Sequence, residues 1–179
     1  DKVALRATAS SGFRAPSLAQ QSYQAVTSTI INGVFVERGT FPTTSTAAQA
    51  LGASPLKAES STSYSVGLVL QPVDRLYLTV DAYQIDIDDR IVLSTNITTN
   101  AAANGLLAGL GLPQVTAFSY FTNGMDTRTR GVDAVSSYTL PLAASSLELT
   151  AAYSYNETEV KTFLAWPGEF GRLGITQTL

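Results

Sequence analysis

Several groups of residues in this sequence are of types that could do chemistry. Asp86-Ile87-Asp88-Asp89 offers hard oxygen ligands of the kind calcium takes. It lacks the glycine and the spaced ligands of a calcium loop, so a solvated strand end is the plainer reading. Asp81 and Glu148 could form the carboxylate pair of glycoside hydrolysis, yet each also fits as a polar residue in its own strand. Tyr64, Tyr77, Tyr83, Tyr120, Tyr138, Tyr153 and Tyr155 could stack sugars, or they could belt a membrane interface. Arg14 could hold an anionic ligand or pack where its strand ends. The 179 residues include no His and no Cys. That removes the commonest general base and the commonest transition-metal ligand. It also removes thiolate sites and disulfides. A Ser/His/Asp set is impossible, and no glycine-rich loop is shaped to cradle phosphate. The sequence therefore reads as no enzyme, with no catalytic residue, cofactor or metal.

What positions these groups is strand alternation. Tyr64 to Val92 is the organising stretch. Tyr64, Val66, Leu68 and Leu70 fall two apart, as do Leu76, Leu78, Val80 and Ala82. A period of two puts each set on one face of a pleated strand. Pro72 cannot donate to a ladder, so Gln71 to Arg75 is the turn of an antiparallel hairpin. Past Ala82 the apolar parity changes to Tyr83, Ile85 and Ile87. That change reads as a β-bulge, or as the strand leaving an apolar environment.

Composition narrows the class. Net charge is −3, with 11 basic residues, which argues against a nucleic-acid footprint. Charged residues make up 14 %, against about 25 % in a typical soluble domain. No apolar run is long enough for a transmembrane helix, and no signal peptide opens the chain. Low charge with alternation and few helix signals suits a membrane β-barrel. It also suits a secreted β-sandwich.

Taken in order, Val3, Leu5, Ala7 and Ala9 line one face of a first strand. Gly12-Phe13-Arg14-Ala15-Pro16-Ser17-Leu18 follows, with Pro16 holding Ala15 extended. Residues 19–54 are a long Thr/Ser/Ala/Gln-rich connection. Within it, Asn32-Gly33 between β-formers is a hairpin signal, and deletion of Thr27 to Thr46 should be tolerated. Glu59 then opens ESSTSYSVGL. Residues 94–114 form a second long connection, in which Leu106 to Pro113 holds at most a helical turn because of Gly109 and Gly111. Residues 116–140 alternate throughout. Asn123-Gly124 is either a turn or lies within one long strand projecting above a membrane, and the long strand is favoured. Leu147, Leu149, Ala151 and Tyr153 mark a further strand, and Leu173 to Leu179 begins a last one.

The segment GFRAPSL, the string ESSTSYSVGL after Pro55, YQIDIDDRI and TRGVD resemble the β-barrel of TonB-dependent outer-membrane receptors in kind, order and spacing. The resemblance spans Ala4 to about Arg172. It implies a barrel of 22 strands, of which this chain would carry six, at 1–10, 59–70, 75–90, 116–140, 146–160 and 171–179. The links then run long, short, long, short, medium. Long links on one side and short on the other is the pattern of an outer-membrane barrel.

The expected fold is thus all-β, an antiparallel up-and-down sheet forming part of a transmembrane barrel. The expected organisation is one barrel segment over 1–179, with the plug domain and the barrel remainder absent. The resemblance implies a receptor in the Gram-negative outer membrane for energised uptake of a scarce ligand. A siderophore, a cobalamin-like compound or an oligosaccharide are the candidates. Its partners would be outer-membrane lipid, that extracellular small ligand, and TonB through the absent plug, with no nucleic acid. Ligand contacts are expected on the loops, at Arg14, Tyr23, Phe35 and Trp166. Two other readings stay open: a secreted β-sandwich binding carbohydrate, and a surface adhesin fragment. A sandwich would bury one apolar face against a second sheet; a barrel segment would leave it open.

Overall fold

The structure, a computed structural model, describes residues 2–31, 33–94, 97–112 and 115–163. In chain order the elements are β1 (Val3–Arg14), α1 (Leu18–Ser22), β2 (Ala25–Ile31), β3 (Val34–Thr40), α2 (Thr46–Ala50) and β4 (Glu59–Leu70). They continue with β5 (Leu76–Leu93), β6 (Ile97–Thr98), α3 (Ala101–Gly109), β7 (Val115–Ser119), β8 (Phe121–Pro141) and β9 (Ser146–Phe163). They form two units: residues 1–13, 60–88 and 126–161, and residues 14–59, 89–125 and 162–179.

The first unit is a single five-stranded sheet in the order β1-β4-β5-β8-β9. Side-chain pairs show its direction. Thr8 meets Ser65 and Ser10 meets Ser63, so an advance along β1 is a retreat along β4. β4 and β5 pair antiparallel from Ser60↔Asp88 to Leu70↔Leu78. Arg130 reaches Gln84, and Arg128 reaches Asp86. Asp133 meets Ser154, and Thr129 meets Thr158. This is the expected up-and-down meander, open at both edges. Its two tight links are Gln71–Arg75, where Arg75 sits at φ 70, and the four residues 142–145. The expected sixth strand lies outside the described residues.

The register fixes the faces. Leu76, Leu78, Val80 and Ala82 share one face with Tyr64, Val66, Leu68 and Leu70, because facing residues of an antiparallel pair point the same way. The hydrogen-bonded pairs carry this face to Val132, Tyr138 and Leu140 of β8 and to Leu147, Leu149, Tyr153 and Tyr155 of β9. The other face is polar: Thr8, Ser10, Ser63, Ser65, Asp81, Thr129, Asp133, Ser137, Ser154 and Thr158. Neither face is covered within this unit. None of the buried hydrophobic side chains among the described residues belongs to it, and Leu5, Val66 and Leu149 are 74 %, 49 % and 53 % exposed. A sandwich would have buried one face. Leu76, Leu78 and Val80 are half-buried, shaded by adjacent strands and not by a second layer.

One expectation is decided here and another corrected. The β4–β5 register runs without a shift through Val66↔Ala82 and Ser65↔Tyr83, so of the two readings of the parity change after Ala82 the β-bulge falls and the strand leaving its apolar environment stands. The apolar row ends there. The positions that continue it are Gln84, Asp86, Arg128, Arg130 and Lys161, which hydrogen bond among themselves. The correction concerns 116–140. Asn123-Gly124 does lie within a strand, β8, as favoured, but the strand breaks at Tyr120 and β7 joins a different sheet.

The second unit holds what looked like plain connections. Its sheet runs β2-β3-β7-β6. The Asn32-Gly33 hairpin forms as expected, pairing Ala25↔Thr40 through Ile31↔Val34, with Gly33 at φ 78. β3 pairs β7 in parallel, an exception to the antiparallel rule of the chain. A helix longer than the expected turn, α3, begins where Asn100 caps Ala103. Phe41, Ala47, Ala48, Leu51, Ile97, Ala103, Leu107, Val115, Phe118 and Tyr120 close into a hydrophobic core. Within 19–54 much of what it takes is alanine, Ala47 and Ala48 among them, which is why that stretch reads as a low-complexity loop.

Candidate functional site

The motif residues meet one another in pairs. Arg14 ends β1 and Glu59 opens β4. The guanidinium holds the carboxylate with both nitrogens of its fork, Nε to Oε2 at 2.8 Å and Nη2 to Oε1. Glu59 is buried, and its Oε1 also accepts the Ile91 N–H at 2.7 Å. Bidentate pairing of this kind fixes both side chains. Arg14 is thus the partner of a buried carboxylate and not a free anion receptor.

Just beyond, Pro16 leads into Ser17, which caps α1. Ser17 accepts from the Gln20 N–H and donates its own backbone N–H to the Gln20 side chain, a full capping box. The APSL segment is therefore a helix start, placing Tyr23 at the end of α1 with half its surface open. Asn123 works in similar fashion. Its side chain accepts the Lys57 N–H at 2.8 Å and donates to the Lys57 and Asp89 carbonyls at 3.1 and 2.6 Å. An amide there imitates a strand partner, which explains why Asn123-Gly124 is not a turn.

On the polar face of the five-stranded sheet, Arg6 of β1 reaches Asp81 of β5 across β4. The strand between them carries Gly67 at the crossing, where a Cβ would overlap the Asp81 carboxylate and the Arg6 side chain. In TRGVD, Gly131 likewise leaves room for the Tyr83 ring. Asp81 and Glu148 do not form an acid pair. Asp81 is taken by Arg6, and Glu148 accepts from Ser137.

The calcium alternative fares no better. Asp86 is engaged by Arg128 at 2.7 Å, Lys161 at 3.3 Å and Gln84 at 2.7 Å. No group of metal-ligating side chains capable of holding an ion is found among the described residues.

The tyrosines do not form one platform. Tyr64, Tyr153 and Tyr155 stand on the apolar face, while Tyr77 and Tyr83 stand on the polar one. Tyr120 is buried, stacked on Phe118 with ring centroids 6.1 Å apart, and burial pushes its hydroxyl up to about 12. A shallow groove of about 650 Å³ crosses the apolar face, passing Tyr64, Ala82, Arg130, Val132 and Tyr155. It lies where apolar side chains give way to charged ones.

Of the expected ligand contacts, Phe35 is 66 % exposed on β3, beside Ile30, which is equally exposed. Arg14, Tyr23 and Phe35 all belong to the second unit. Trp166 lies outside the described residues. The Arg6–Asp81 crossing was not foreseen; Gly67 between two polar strands was its one signal.

A sheet greasy on one face and polar on the other, with no second layer on either face among the described residues of its own unit, is a segment of a membrane β-barrel wall. The model of the TonB dependent receptor-like β-barrel family matches residues 1–175, and the chain belongs to that family. No curated protein matches the chain. Membership makes this part of an outer-membrane receptor and transporter, from a family of transporters and not of enzymes.

Proposed function

We propose that this chain is wall and loop of a receptor for energised import of a scarce, large ligand across a Gram-negative outer membrane. A ferric siderophore, a cobalamin-like compound or an oligosaccharide fits that description. The observation that carries the reading is the two-faced sheet. Its apolar side meets lipid, and the row from Gln84 to Lys161 stands in water above it. The ligand contacts Tyr23 and Phe35, together with Trp166, on the connections from Ser17 to Ala58 and from Ser94 to Gln114. Arg14 shapes the surface through Glu59. Coupling to TonB runs through a plug domain supplied by the rest of the receptor.

A loop excision tests this. Removing Thr27 to Thr46 would also remove Phe41 and Thr43, which are fully buried. The cut to make is Val26 to Gly39, since Ala25 and Thr40 already face each other. The receptor should keep its heat-resistant folded band on a gel and lose ligand uptake. Loss of the band would contradict the loop assignment, and unchanged uptake would contradict the binding role.

A further inference from the structure

The groove on the apolar face of the five-stranded sheet follows two adjacent cross-strand rows. Val66 faces Ala82, and Tyr64 faces Gln84. The Thr8–Ser65 bond puts Ala7 beside Val66. Arg130 reaches Gln84, which puts Val132 beside Ala82. The Thr129–Thr158 and Asp133–Ser154 bonds put Tyr155 beside Val132 and Glu157 beside Arg130. One row is therefore Ala7, Val66, Ala82, Val132 and Tyr155. The next is Tyr64, Gln84, Arg130 and Glu157. All of them line the groove. Charge begins toward the end of β5 that leads to the long connection, the extracellular end of a barrel wall.

The first row is dished because Ala7, Val66, Ala82 and Val132 are short, while Tyr64 and Tyr155 rise beside them. A hollow in a lipid-facing wall must be filled by hydrocarbon, since an empty one forfeits dispersion contacts. Tyrosines in such a wall mark headgroup depth, so the second row stands where hydrocarbon ends. Its charges differ from those farther along β8. Arg128 is taken by the Asp86 carboxylate at 2.7 Å. Arg130 instead donates its Nε to the neutral Gln84 Oε1 at 2.9 Å, a partner that does not cancel its charge. Glu157 stands opposite it on β9. A cation and an anion side by side above an apolar floor complement a headgroup that carries a phosphate next to an amine. We propose that this groove is a site for one zwitterionic phospholipid of the outer leaflet. An acyl chain fills the Ala/Val floor, the phosphate meets Arg130, and the amine meets Glu157. The site rests on this face meeting lipid and not on what the receptor imports.

Native mass spectrometry of the full receptor, purified in detergent and titrated with lipids of matched chains, tests this. Phosphatidylethanolamine should be retained as a single adduct. Phosphatidylglycerol and diacylglycerol should be retained about tenfold more weakly, the worth of one hydrogen bond to a charged group. Arg130→Gln should bring phosphatidylethanolamine down to the level of diacylglycerol. Glu157→Gln should erase the preference for phosphatidylethanolamine over phosphatidylglycerol. Ala82→Leu fills the floor and keeps the face apolar, so it should abolish the adduct and leave the heat-resistant folded band. Leu149→Phe, on the same face but outside the groove, should change neither. Several adducts with no headgroup preference would mean an ordinary lipid shell and overturn the site. So would an undiminished adduct in folded Arg130→Gln or Ala82→Leu receptor. A receptor that retains no lipid while Leu78→Arg still disrupts its barrel would lose this site and keep its lipid-facing wall.

Discussion

Leu78→Arg should destabilise the receptor barrel by about 2–4 kcal/mol in a lipid refolding titration, the cost of a cation near the midplane of the lipid face. Leu78 faces Leu70 and sits in the middle of the apolar row, two residues from Leu76 and from Val80. Below the row lies the tight Gln71–Arg75 link, and above it Gln84 already hydrogen bonds to Arg130. The adjacent Thr79 points to the other face, where Ser and Thr hydroxyls and the Arg6–Asp81 pair dominate. Thr79→Arg should therefore cost far less. An equal cost at the two positions would mean the faces are not lipid and lumen.

Phe41→Ala should cost about 3–5 kcal/mol, the range for deleting a large buried aromatic. Phe41 is 1 % exposed, and its backbone N–H is held by the Ser119 carbonyl at 3.0 Å. Its core is small and otherwise built largely from alanines and leucines, so few neighbours can move in to fill the space. A unit of this size has little stability to spare. Limited proteolysis should cut within 19–58 in the variant and spare the unaltered receptor, and ligand uptake should fall with it. The heat-resistant barrel band should persist. An uncut variant with full uptake would show that this core does not organise the ligand surface.

The wall of the barrel was legible in the sequence because period two survives wherever one face is greasy. Residues 59–70 form β4 with those bounds, 75–90 needed only end corrections, and the first short link fell where Pro72 placed it. At Ala82 the sequence left two readings open, a bulge or an exit from the apolar environment, because alternation records polarity and not register. Gln84 and Asp86 still point outward, but toward charge instead of lipid. The second unit was hidden for another reason. Ala47, Ala48 and Ala103 bury completely yet carry little hydrophobic signal, and α1 and α2 are only five residues long, too short for a helical period. Parallel pairing of β3 with β7 joins residues some eighty positions apart, which no local pattern announces. Of the candidate site, the exposed aromatics were readable as residue types. The Arg14–Glu59 bond was not, since it joins two motifs across a 44-residue connection.

The central claim is that one face of the five-stranded sheet meets lipid up to Ala82 and water beyond it. Single nitroxide labels placed one at a time from Leu76 to Asp88, in the receptor reconstituted in vesicles, test it directly. Collision with oxygen, which concentrates in lipid, should alternate along the strand and peak at 76, 78, 80 and 82. At 84, 86 and 88 the same parity should instead collide with a water-soluble nickel reagent. Oxygen and nickel accessibility that fail to alternate, or an apolar parity that nickel reaches as readily as the polar one, would contradict the membrane-wall account.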